Sequence, residues 1–231
     1  MTEKPVFIAL DFPDAESTRG FLKPFSKLTE RPALKVGMEL FYSEGPDFVL
    51  ELKRAGYTIF LDLKLYDIPN TVGHTVARIA RLNVDYLTIH AIGGEKMLAA
   101  AVANKGESLK LLAVTQLTSL SENEIRETQL TSATIAESVT HLAKIAYEIG
   151  VDGTISSALE ADLIRKHTSD QFLRITPGIR LSGDGVGDQT RVTTPQKAKI
   201  IGATGLVVGR SITQAENPLA AYQQVMKEWR D

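Results

Sequence analysis

Eight short runs rich in β-branched and aliphatic residues recur along this chain, separated by stretches whose apolar residues fall at helical spacing. That alternation constrains the fold more than any other feature. Strands are predicted at Val6–Asp11, Ala33–Gly37, Thr58–Lys64, Tyr86–Ala91, Lys110–Leu117, Gly153–Ser157, Leu173–Ile179 and Gly205–Arg210. Between them, Ile135–Ile149 sets Ile135, Val139, Leu142, Ala143 and Ala146 on one helical face, and Ala158–His167 carries a shorter stripe of Leu159, Leu163 and Ile164. Strands alternating with helices call for a parallel sheet, and eight of them predict closure into a (β/α)8 TIM barrel, an α/β fold. A doubly wound open sheet is the rival. It usually carries a glycine-rich turn after its first strand, and here that turn reads Asp11-Phe12-Pro13-Asp14-Ala15, so the barrel is the expectation. No Pro/Ser-rich linker or shift in composition divides the chain, and residues 1–231 are expected to form one domain.

Composition narrows the chemistry. A net charge of -2 offers no basic field for nucleic acid, so any anion site must be local. With no cysteine, disulfides, thiolate catalysis and thiolate metal sites are excluded. The opening run MTEKPVFIALDFP is too short in apolar residues for a signal peptide, and no uninterrupted apolar stretch approaches the roughly 18 residues of a membrane span. The expectation is a cytoplasmic protein with no membrane partner.

The charged residues of predicted strands carry the candidate chemistry. In Phe60-Leu61-Asp62-Leu63-Lys64, strand alternation puts Asp62 and Lys64 on the inner face near the strand's C-terminal end, with Leu61 and Leu63 outward against helices. Asp67 lies just beyond, and Pro69 is expected to discourage an immediate helix. Alone, these charges read equally well as a buried ion pair closing the barrel. Asp11 at the end of the first strand and Lys35 within the second add to them, and an alternating array of acids and amines on adjacent strands suits electrostatic preorganisation.

The segment Asp62-Leu-Lys-Leu-Tyr-Asp-Ile-Pro-Asn-Thr71 resembles the DxKxxDIPNT signature of orotidine 5'-phosphate decarboxylases. The resemblance extends over essentially the whole chain, through Ala9-Leu10-Asp11, Lys35-Val36-Gly37, Val114-Thr115-Gln116-Leu117-Thr118-Ser119, Thr176-Pro177-Gly178-Ile179-Arg180 and Val208-Gly209-Arg210. It implies decarboxylation of orotidine 5'-phosphate (OMP) to UMP without metal or organic cofactor. Lys64 would protonate C6, Asp62 would lie against the substrate carboxylate, and Lys35 and Asp67 would complete the array. Asp11 and Lys35 would also hold the ribose hydroxyls, and Thr118 would meet the base. Arg180, Gln189, Gly209 and Arg210 would bind in the phosphate region, Gln189 bridging to the pyrimidine side. The resemblance further implies a homodimer in which Asp67, Ile68 and Thr71 reach the neighbouring subunit's site.

Physical features agree with parts of this. Gly209 beside Arg210, directly after an apolar strand, offers close backbone approach and a guanidinium fork for phosphate. Residues 180–191 hold three glycines after the seventh strand, where a mobile lid is expected. Of the four histidines, His90 ends the fourth strand and is expected to pack there, while His74, His141 and His167 read as surface residues, with no metal-ligand spacing among them. Gly93-Gly94 reads as a turn opening a helix, and the run from Tyr222 to Trp229 as a final amphipathic helix packed on the barrel. Two rivals stand beside the decarboxylase: a magnesium-dependent sugar-phosphate lyase of the same suprafamily, with Asp62 as a metal ligand, and a phosphate-binding barrel without catalysis.

Overall fold

The computed structural model describes residues 4–181 and 191–231. Its eight strands are β1 (Val6–Leu10), β2 (Ala33–Gly37), β3 (Ile59–Leu65), β4 (Tyr86–His90), β5 (Lys110–Val114), β6 (Gly153–Ile155), β7 (Leu173–Thr176) and β8 (Gly205–Val208). All neighbours are parallel, and β1 pairs with both β2 and β8, closing the barrel in chain order. The helices around it are α1 (Ala15–Leu22), α2 (Met38–Arg54), α3 (Pro69–Ala80), α4 (Glu95–Asn104), α5 (Glu122–Gln129), α6 (Ile135–Ile149), α7 (Ala161–His167), α8 (Pro195–Ile201), α9 (Arg210–Thr213) and α10 (Pro218–Arg230). This is the predicted (β/α)8 architecture.

Local chemistry accounts for the element ends. In α6, Thr134 and Glu137 form a reciprocal capping box, Val139, Leu142, Ala143 and Ala146 make the buried stripe, and Gly150 ends the helix at φ 94°. The strands predicted to run to Leu117, Ser157, Ile179 and Arg210 stop earlier, at Val114, Ile155, Thr176 and Val208. Past the last ladder bond Thr115, Gln116, Ser156, Ser157 and Ile179 stay buried as the chain turns out over the rim, whereas Leu117 and Arg210 are exposed. Pro69 does not delay a helix; it is the first residue of α3, where its missing N–H costs nothing and its fixed φ is already helical. Leu159 is 54% exposed, since a 3-10 turn over Ala158–Glu160 precedes α7 and rotates it off the stripe that buries Ile164.

Each strand is buried on both faces, as parallel barrel strands must be. Val6, Ile8 and Leu10 pack outward with Leu34, Val36, Leu61 and Leu63 against the helices, while Phe7 and Ala9 point inward. The inward set of Phe7, Phe60, Leu112, Ile175 and Val207 fills the barrel, with the rings of Phe7, Phe60 and Tyr86 packed edge to face. Gly153 is part of that fit: a Cβ there would lie 2.4 Å from the Leu173 Cβ. The final helix buries Tyr222, Val225 and Trp229 and ties the chain's two ends together, the Trp229 Nε1–H donating to the Lys4 carbonyl at 2.9 Å.

At the N-terminal rim, charge completes strand starts. Asp85 accepts the Ile59 N–H at 2.7 Å and pairs with Lys53, and Asp152 accepts the Leu111 N–H at 2.8 Å and pairs with Lys105. In each case a carboxylate just before one strand serves the first amides of the strand before it. At the opposite rim the charges face one another above the apolar fill.

Candidate active site

Three adjacent strands build the centre of the C-terminal mouth. Asp62 holds the Lys64 ammonium with both oxygens, each at 2.9 Å, and its Oδ2 lies 3.6 Å from the Lys35 ammonium. Lys35 in turn reaches Asp11 Oδ1 at 3.3 Å. The result is a chain of alternating sign, Asp11–Lys35–Asp62–Lys64, running across β1, β2 and β3. Lys35 is 8% exposed, a position an ammonium tolerates only with such partners. Gly37 makes room for it, since a Cβ there would sit 3.2 Å from Lys35 Nζ.

The route by which Lys64 reaches Asp62 is not the regular alternation the sequence predicts. Between the pairs Leu61↔Leu87 and Leu65↔Ile89, β3 spends four residue steps against two on β4, a bulge. Lys64 absorbs it at φ 49°, a left-handed conformation that costs a residue with a Cβ about 1–2 kcal/mol. Its N–H donates to Thr88 Oγ1 at 2.8 Å, and that hydroxyl donates to Asp62 Oδ1 at 2.9 Å. Strained backbone held by buried hydrogen bonds is a recurrent feature of functional sites.

Burial pushes the Asp62 carboxyl pKa upward, but the Lys35 and Lys64 ammoniums and the hydrogen bonds from Lys64 and Thr88 outweigh it, and the net shift is downward. Asp62 is therefore an anion at neutral pH. His90, at the end of β4, packs its ring 5.9 Å from that of Tyr66; burial first, then the Lys64 ammonium, lower its pKa. It is neutral at pH 7 and adds no charge to the array.

The other predicted residues are spread around the same rim. Asp67 is exposed after β3, its Oδ1 accepting the Ile68 N–H at 2.7 Å, so within one chain it does not join the array. Ile68 is 66% exposed, and Thr71, exposed on the first turn of α3, accepts at its carbonyl from the Thr75 hydroxyl. Thr118, in the loop after β5, and Arg180, after β7, are buried, and the Arg180 N–H donates to the Thr193 carbonyl at 2.9 Å. Gly209 leaves β8 with its α-carbon facing Ala9 and Asp11, and Arg210 is exposed at the start of α9. Gln189 and most of the expected lid, residues 182–190, lie outside the described residues.

Two contributors were not singled out in the sequence. Thr88 shares the inward face with Tyr86 and His90, and a polar residue at an inward strand position near Asp62 was the available signal. Arg191 pairs with the buried Glu160 and donates to the Leu117 carbonyl at 3.3 Å, tying the chain beyond residue 190 to the loops after β5 and β6. No local pattern links Glu160 and Arg191, which meet only in the closed barrel.

Comparisons with known proteins place nearly the whole chain in one family. The family model described as orotidine 5'-phosphate decarboxylase / HUMPS family matches residues 4–225. A protein of Oenococcus oeni named orotidine 5'-phosphate decarboxylase is 60% identical over 226 residues, 98% of this chain and 99% of that protein. One of the same name from Listeria innocua is 50% identical over 232 residues, covering 98% of each. The crystal structure of orotidine 5'-phosphate decarboxylase from Lactobacillus acidophilus superposes with a TM-score of 0.87 at 41% identity, over 99% of this chain and all of that one. By the extent of these matches, this chain belongs to the orotidine 5'-phosphate decarboxylase / HUMPS family.

Proposed function

We propose that this chain decarboxylates orotidine 5'-phosphate to UMP and CO2, the last step of de novo pyrimidine nucleotide synthesis, without a metal or organic cofactor. The observation that carries the reading is the Lys64 ammonium held by both oxygens of Asp62 in a part-buried mouth, with a second ammonium, Lys35, on the carboxylate's other side. Loss of CO2 breaks the C6–carboxyl bond and leaves its electron pair on a vinylic carbon that has no neighbouring group to spread it. An ammonium at C6 stabilises that pair as it forms and then gives it a proton. Lys64 ends neutral and is reprotonated by solvent. The anionic Asp62 faces the substrate carboxylate, and their repulsion falls as CO2 departs, so the site favours the transition state over bound substrate.

Asp11 and Lys35 hold the ribose hydroxyls, Thr118 meets the base, and Gly209, Arg210 and Arg180 take the phosphate in this reading, with Gln189 carried over from the resemblance alone. Exposed Tyr66 and Ile68 flanking Asp67 favour burial of this loop against a second copy of the chain, with Asp67, Ile68 and Thr71 completing its site. An enzyme of free nucleotides belongs in the cytoplasm, and among the described residues no helix is long and apolar enough to cross a membrane.

The test is the loss of OMP absorbance with purified protein in EDTA. Rapid conversion to UMP supports the metal-free decarboxylase. Turnover that appears only with added magnesium and a sugar phosphate would support the lyase, and tight UMP binding with no OMP turnover the non-catalytic barrel. The phosphate assignment has its own consequence. Arg210→Ala is expected to lower kcat/KM for OMP by about 10²–10³-fold, and for orotidine lacking phosphate by less than about threefold, because remote phosphate binding serves the reacting end only when phosphate is there. Equal losses on both substrates would remove Arg210 from the phosphate site.

A further inference from the structure

We infer that Thr88 is a positioning residue for this reaction, its hydroxyl fixing the Lys64 backbone and the Asp62 carboxylate in one hydrogen-bonded relay; this rests on the decarboxylase reading above. Thr88 is fully buried at the middle of β4 and faces inward. Its Oγ1 accepts the Lys64 N–H at 2.8 Å and donates its own proton to Asp62 Oδ1 at 2.9 Å. The two residues it joins are the proposed proton donor and the anion opposite the departing carboxylate, two positions apart on the same bulged strand. Without the hydroxyl, the Lys64 amide in its left-handed conformation has no Thr88 acceptor, and one Asp62 oxygen depends on ammonium partners alone. Both long lysine side chains can follow a carboxylate that turns; the fixed donor on a rigid strand cannot, and that makes it the reference point of the array.

The geometry also explains why threonine fits. A serine keeps the same donor and acceptor but loses the methyl that stiffens χ1, whereas valine keeps the shape and removes both hydrogen-bonding roles. The charged and titratable groups facing the relay are Lys35 from β2, Asp62 and Lys64 from β3 and His90 from β4, with Asp11 beyond Lys35.

The experiment compares Thr88→Val and Thr88→Ser with the parent protein. In Thr88→Val, kcat for OMP is expected to fall about 10–100-fold, KM and the Kd of UMP to change less than about threefold, and the acid limb of kcat to move to higher pH. Thr88→Ser is expected to restore kcat to within about threefold. Should valine prevent folding, Thr88→Ala carries the same comparison. A valine variant with parental kcat, a serine variant as impaired as valine, or a loss carried wholly by UMP affinity would each overturn the inference. Amide exchange at Lys64 keeps the two readings distinguishable: if the parent fails to turn over OMP the decarboxylase reading falls, while loss of Lys64 protection in Thr88→Val still reports the relay.

Discussion

Lys64→Ala is expected to reduce OMP turnover by at least about 10⁴-fold, since one side chain serves both as the charge that stabilises the carbanion and as its proton source. The barrel is expected to persist, because Asp62 keeps Lys35 as a counter-charge and alanine meets the same backbone at φ 49° as lysine does. UMP binding within about tenfold of the parent would show that the loss lies in chemistry rather than in an unfolded site. A variant that still turned over OMP at more than about a hundredth of the parental rate would take the proton-donor role away from Lys64. The same variant tests whether sites are shared. Mixed with an inactive Asp67→Asn protein, it should regain about a quarter of the parental activity. Half of the dimers are then mixed, and each mixed dimer holds one site with intact Lys64 and Asp67. No recovery on mixing, with exchange of subunits verified by mass, would confine Asp67 to its own chain.

Such tests could be framed largely from sequence because the informative residues sit where regular geometry is strong. Strand starts and the bounds of α6 follow from period-two and helical patterning, which also puts Asp62 and Lys64 on one face; Asp11 and Lys35 stand out as charges ending or interrupting apolar runs. The strand ends were harder to read, because apolar residues such as Ile179 stay buried after leaving the ladder. The Lys64 bulge was hidden for a different reason. A regular strand also puts Asp62 and Lys64 on one face, so the pattern is satisfied without revealing that the backbone turns left-handed at Lys64 itself. Thr88, which holds that bulge, is one threonine in an apolar run, and its partners are 24 and 26 residues away. Asp67 shows the opposite limit: its motif position marks it out in the sequence, yet on one chain it is exposed and its Oδ1 accepts the Ile68 N–H rather than joining the array.

Asp62→Asn is expected to lower OMP turnover by about 10³-fold or more and to destabilise the protein as well. The two effects have one origin. Asp62 is the anion between two ammoniums, 2.9 Å from Lys64 and 3.6 Å from Lys35, and the amide leaves those like charges facing each other across a neutral group. Breaking a buried pair by removing one partner costs about 3–5 kcal/mol; here Lys35 retains Asp11 and Lys64 is partly open to water, so about 2–3 kcal/mol is expected, or roughly 4–12 °C in Tm for a chain of this size. The pH dependence separates this from simple loss of packing. The folded-state pKa of Asp62 is lowered from the ordinary 3.8, so its stabilising contribution is complete above that value and is lost as pH falls through the lowered one. The Tm gap between parent and Asp62→Asn should therefore be constant through neutral pH and close only in acid below about pH 4. A gap that persisted unchanged into that range would mean the amide disturbs shape rather than charge, and the electrostatic account of the array would fail with it.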